Sequence, residues 1–286
     1  VFNYFHASAA YSKLTMWKRR GELLVGDKTA LLLDKLNDRV KGMDSKLNPQ
    51  ACANVLWSVA HLSDALPSSQ DVVPAIAAQI PRKAKDMDPQ HLSNILWASA
   101  NLKDDAPDIL SIVPAIAAQI PRKAEDMVPQ ALSQILWASA NLKDDAPDIL
   151  SSVPAIAAQI PFKAKHMNLQ ELSNSVVAFL SLQDMVPEAR YLLGVASGSE
   201  DFLFLRLVIL RTQKLISTVH GKEMVLGLPG ILWASARVEL HSTAELRQLL
   251  GSVAERLGST KQVSRLSAWG LCALHASYKV LDPSEQ

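Results

Sequence analysis

The sequence is poor in the features that carry chemistry. Two cysteines, Cys52 and Cys272, occur in 286 residues. They lie far apart, form no CxxC pair and imply no disulfide framework. Each sits inside an apolar helical pattern, the setting of a small buried thiol. The seven histidines, His6, His61, His91, His166, His220, His241 and His275, make no HExxH and no cluster with cysteine, so no metal site is expected. No glycine-rich phosphate loop, GxSxG or distinctive carboxylate pair occurs, which argues against a cofactor and against an enzyme. A surplus of charge is missing too. The formal net charge is +1, whereas a dedicated nucleic-acid binder is usually basic. The longest strongly apolar run, 202–210, contains Arg206 and is too short to span a bilayer. The first residue is Val1 and 1–6 already have mid-domain character, so the lack of a targeting peptide carries no weight.

What the chain does have is a core and a period. Hydrophobic residues make up 49% and charged residues 20%, enough to fold and too little charge for wholesale disorder. Trp57, Trp97 and Trp137 are spaced by 40 residues, as are the Pro–Gln pairs at 49–50, 89–90 and 129–130. Between 88–127 and 128–167, 33 of 40 positions are identical. A fixed period of this length marks a solenoid, whose units bury their faces only against neighbours. The expected fold is all-α, a single α-solenoid over 1–286 of roughly six helix-turn-helix repeats. Residues 1–46 form a divergent N-terminal unit, in which 1–16 resembles a truncated first helix and 28–41 a second, with the basic stretch 18–27 between them. Regular repeats fill 47–187, an irregular insertion 188–227, and divergent C-terminal units 228–286.

Each regular unit reads as two helices. Asp88 suits an N-cap and Pro89 the first helical position. Leu92, Ile95, Leu96, Ser99 and Leu102 then form one stripe, and Ser93, Trp97 and Ala100 a second flank. Recurrence on such a flank assigns the tryptophans to core packing rather than to stacking on a ligand. After the turn 103–107, the second helix carries Pro107, Pro114 and Pro121 at spacing seven. That spacing puts them on one face, opposite Ile109, Ile112, Ile116 and Ile120, and predicts a helix kinked or broken near Pro114. Farther on, Ser242 to Glu245 reads as a capping box opening a helix to about Leu257, and a last helix carries Trp269.

The string LSNILWASANL, 92–102, resembles the LANxLWALAxL core of octotricopeptide-type repeats and the related heptatricopeptide and FAST-kinase-like arrays. The resemblance is good over 47–187, loose over 228–280 and poor over 1–46. It rests on Asn54, Leu56 and Trp57; on Asn94, Leu96 and Trp97; and on Leu136 and Trp137, where Gln134 replaces Asn. In the fourth unit Asn174 remains but the tryptophan is gone. The resemblance implies an organellar address, chloroplast or mitochondrion, and for many members RNA binding in transcript maturation or translation.

A fourth side of the first helix reads as open: His91, Asn94, Ala98 and Asn101. Its equivalents are Ala51, Asn54, Ser58 and His61; Ala131, Gln134, Ala138 and Asn141; and Glu171, Asn174, Ala178 and Ser181. Polar residues that vary along one line suit base reading, although any exposed helix face is polar. Charge weighs the other way. Residues 88–127 hold three bases and six acids, and 48–87 and 128–167 each balance, so few phosphates would be neutralised. Arg82–Lys83, Arg122–Lys123 and Lys163–Lys165 fall near helix C-termini, where the dipole accounts for them, and the lone basic knot Lys18–Arg19–Arg20 reads as a solvated loop rather than a phosphate clamp. The leading expectation is therefore a non-enzymatic scaffold, docking by protein contacts in a large organellar complex such as a ribosome or an energy-transducing membrane complex. Phe202, Phe204 and Leu205 form the candidate docking segment. Single-stranded RNA, in an organellar gene-expression factor, is the alternative ligand.

Overall fold

The computed structural model describes residues 2–43, 46–193, 203–218, 222–237, 247–253, 270–272 and 275. Phe202, Ser242 to Glu245, Leu257 and Trp269 lie outside them. The fold is all-α, of the helical-repeat kind, and no strand occurs among the described residues. In chain order the helices are α1 (Tyr4–Arg20), α2 (Asp27–Lys41), α3 (Pro49–Leu62), α4 (Val73–Ala77), α5 (Ile80–Lys83), α6 (Pro89–Leu102), α7 (Val113–Ala117), α8 (Pro129–Leu142), α9 (Val153–Lys163), α10 (Leu169–Leu182), α11 (Pro187–Leu192), α12 (Leu203–Ile216) and α13 (Lys222–Arg237).

The first helix of three of the regular units starts by the same device. Asn48, Asp88 and Asn168 accept the amide N–H of Ala51, His91 and Glu171 at 2.8, 2.9 and 2.9 Å. Those N–H groups have no partner inside the helix, and a short polar side chain just before it supplies one. The expected break in the second helix is there. Tight 3₁₀ turns at Pro67–Val72 and Pro107–Ile112 precede α4 and α7, and a further 3₁₀ turn, Ile120–Arg122, follows α7. Pro107, Pro114 and Pro121 are exposed while Ile109, Ile112, Ile116 and Ile120 are fully buried. Each of these prolines also sits in the first turn of its helical segment, so the missing N–H costs little.

By contacts the chain divides into two compact units, Val1–Met127 with Asn141–Ser152, and Val128–Ala140 with Val153–Gln286. In the first, α1 packs on α3 and α3 on α6, forming one layer. The other layer runs from α2 onto Pro67–Val72, from α4 onto Pro107–Ile112, and from α7 onto Pro147–Ser152. Buried Tyr11 donates its hydroxyl to Asn37, whose amide donates at 2.7 Å to the carbonyl of Ser68, so α1, α2 and the next turn are tied together. Lys18, Arg19 and Arg20 are not in a loop. They form the last turn of α1, which ends at Gly21 with φ 72° and an N–H bond to the Lys18 carbonyl at 3.0 Å. That left-handed backbone is one glycine adopts without strain.

In the second unit α13 lies along α10, and α11 and α12 join α9 in the other layer. Residues 188–227, expected as an irregular insertion, hold most of α11, all of α12 and the start of α13. Pro187 keeps the register of Pro107 and Pro147. At the position of Ser99 and Ser139 this unit has Phe179, fully buried and edge-on to Phe204, ring centroids 5.5 Å apart. The bulkier pair fills the space where α12 meets α10.

Candidate functional site

On α6 the exposed and half-buried positions are Gln90, His91, Asn94, Trp97 and Asn101, and every other residue of 90–102 is buried. On α3 they are Gln50, Asn54, Trp57, Ala60 and His61. The open arc therefore centres about 50° round the helix from the expected one, half a residue step at 3.6 residues per turn. Ala98 and its equivalents Ser58, Ala138 and Ala178 are buried, as are Ala51 and Ala131 at the position of His91, so they do not belong to the row; the glutamines take their place. The tryptophans move the opposite way, from the expected core flank to the open side. The buried flanks of α6 carry small residues, Ser93, Ala98, Ser99 and Ala100, and a closely packed flank of that kind has no room for an indole.

The first unit brings several of these side chains together. The Trp57 and His61 rings meet edge-on at 4.1 Å between centroids. His61 also lies 4.6 Å from Trp97, and Trp57 and Trp97 are 6.4 Å apart, tilted by 39°. Burial, then Arg19 and Lys18, pull the His61 pKa down to about 4, against a small opposing effect of Asp64. The ring is thus neutral near pH 7 and packs as an aromatic. Asn94 stands beside this row and makes no hydrogen bond among the described residues, whereas the Asn54 amide donates to Ser8 Oγ at 3.3 Å. Asn101 bonds back to the carbonyl of Trp97 at 2.7 Å.

Other expected site residues are engaged elsewhere. His91 closes the cap of α6, facing Asp88, with its pKa lowered by burial. Glu171 plays the same part at α10, accepting the Asn168 N–H at 2.9 Å. On α8 Gln134 and Trp137 are half-buried and Asn141 is exposed; on α10 Asn174 is half-buried beside Val177, which replaces the tryptophan. Phe204 and Leu205, taken as part of a docking segment, are buried in the contact of α12 with α10 and offer no surface. Cys52 is buried, its thiol pushed up to about 11 by that burial. Cys272, expected to be buried as well, is exposed next to half-exposed Leu271.

The basic residues have a role the sequence did not reveal. Lys123 donates to the carbonyls of Met87 and Lys85 in the preceding repeat. Arg211 donates to the Met167 carbonyl at 3.3 Å in the same manner. Lys103 reaches forward to the Asn141 carbonyl at 3.0 Å and to Asp145 at 2.6 Å, and Lys18 likewise to the His61 carbonyl and Asp64. These cations join one repeat to the next at carbonyls that helix ends leave unpaired. Arg19 and Arg20 are exposed and make no such contact; with Ser12, Thr15, Met16 and Trp57 they line a groove of about 350 Å³.

Among the described residues no group of His, Cys, Asp or Glu is placed to hold a metal ion, and no helix is long and apolar enough to cross a membrane. No protein-family model and no curated protein matches the chain.

Proposed function

We propose that this chain is a non-enzymatic helical-repeat protein that binds single-stranded RNA along the open side of its first-layer helices. The observation that carries the reading is the row Trp57, His61 and Trp97, partly exposed with the free amide of Asn94 beside it. Partly exposed indoles give bases a stacking surface worth about 1–3 kcal/mol each. Unbonded amides offer a donor and an acceptor to base edges. Near-neutral repeats, with several lysines bound to the chain itself, leave few cations for phosphate. Affinity then comes from stacking and amide contacts, and the salt dependence is shallow. The resemblance to octotricopeptide-type repeats makes an organellar gene-expression role part of this proposal.

The test is a titration of an unstructured RNA dodecamer, followed by anisotropy and by tryptophan fluorescence. Saturable binding that quenches the tryptophans and weakens on Asn94→Ala supports the reading; no binding at low salt overturns it.

A protein-docking role is favoured by a different surface. Leu24, Leu32 and Leu31 are 84%, 67% and 56% exposed. Leu24 and Leu32, with Leu14, Trp17 and Leu36, line an apolar groove of about 510 Å³ between α1 and α2. Contiguous exposed apolar surface of this kind marks a contact site. Native size in extract with and without ribonuclease separates the two readings. A large particle that persists, free of RNA, favours docking, and collapse after ribonuclease favours RNA.

A further inference from the structure

The groove beside the end of α1 differs from its counterparts in the repeats by a reversal of charge. Lys18 makes at His61 and Asp64 the contact that Lys103 makes at Asn141 and Asp145. In the repeat the next two residues are Asp104 and Asp105; here they are Arg19 and Arg20. Both guanidinium groups are exposed, without an acidic partner among the described residues, in a groove of about 350 Å³ that is also lined by Ser12 and the half-buried Trp57. The groove therefore pairs two planar cations, which match phosphate oxygens in bidentate fashion, with an indole in the same lining. Its volume suits one nucleotide.

We infer that this groove is a nucleotide-phosphate site: Arg19 and Arg20 hold a phosphate and Trp57 stacks on the attached base. It deepens the RNA reading, on which it rests, by fixing where a strand is anchored. The neutral rows on α3 and α6 cannot do this, since a stack of rings and amides has no preferred phosphate position. The phosphate could be internal to a strand or at its 5′ end, and the two sources present the same chemistry.

The experiment uses the full chain with RNA dodecamers bearing a 5′-phosphate or a 5′-hydroxyl, and compares wild type with Arg19→Gln/Arg20→Gln. Both residues are exposed, so the melting temperature of the variant is expected to be unchanged and is measured first. Loss of about tenfold or more in affinity, with the slope of log K against log salt reduced by about 1, is expected for the variant. A 5′-phosphate preference that disappears in the variant assigns the terminal source; equal losses for both oligonucleotides assign the internal one. Wild-type affinity and slope in the variant overturn the groove while leaving RNA binding intact. If wild type binds no RNA, the groove is tested by nucleoside 5′-monophosphate against unphosphorylated nucleoside, reading side-chain N–H signals of Arg19 and Arg20 by NMR. Shifts with the monophosphate alone uphold the site without the strand, and unmoved signals remove it.

Discussion

Trp57 and Trp97, forty residues apart in sequence, lie with ring centroids 6.4 Å apart on the open side of adjacent helices, and the His61 imidazole touches both. Each indole is only half-buried, so Trp97→Ala removes less than a fully buried ring would. We expect a loss of about 2 kcal/mol, below the 3–5 kcal/mol of fully buried aromatics, checked by urea denaturation. Trp97→Phe should keep most of the stability and weaken RNA binding, because a smaller ring stacks less.

The same contact makes stability depend on pH. The folded His61 has a pKa of about 4, lowered first by burial and then by Arg19 and Lys18, against about 6.5 unfolded. Above 6.5 the ring is neutral in both states and nothing is lost. Between 6.5 and 4 the unfolded chain binds the proton and the folded chain does not, so stability falls as pH falls; below 4 it levels off. Since the ring is about half exposed, solvent screening makes the change smaller than the shift alone implies. Midpoints at pH 7.5 and pH 5 should differ more for wild type than for His61→Asn.

One unit lacks its cap. Val128 stands where Asn48, Asp88 and Asn168 cap the other helices, and it is 59% exposed. Val128→Asp should stabilise the protein by about 1 kcal/mol, the usual worth of a side chain that satisfies a first-turn N–H. A thermal melt reads this as a rise of a few degrees. No change would mean that the first-turn N–H groups of α8 already have an acceptor.

The approach of α13 to α10 depends on a residue without a side chain. A Cβ at Gly227 would lie 2.5 Å from Leu169 Cβ and 2.7 Å from its carbonyl carbon. Because the obstacle includes backbone, Gly227→Ala must push the helices apart. We expect about 1–3 kcal/mol of destabilisation, whereas Gly251→Ala, where nothing lies within 4 Å, serves as the neutral control. Comparable stability of the two variants would overturn the close packing.

Much of the fold was legible because the repeat states it several times. Asp88–Pro89 announced a capped helix, and the seven-residue proline spacing announced a broken one with isoleucines inward. The site was legible only in part. Asn54, His61, Asn94 and Asn101 reached the open side as expected. Ala98 did not, nor did the tryptophans fall on the buried flank, because a hydrophobicity pattern gives the period of a helix more reliably than its rotation. Phe204 and Leu205 looked like a surface because their segment breaks the pattern, yet both are buried and Phe204 packs against Phe179.

By itself the sequence determined the class of structure and its unit: a helix pair every forty residues, capped, turned and lined with apolar residues at fixed offsets. These are local properties of a chain and need no neighbour. Only the tertiary structure decided which side of each first helix stays open, which lysines are taken up in joining repeats, and that Arg19 and Arg20 are left beside Trp57. Those outcomes depend on how closely two backbones approach, and that distance is set by side chains from both helices at once.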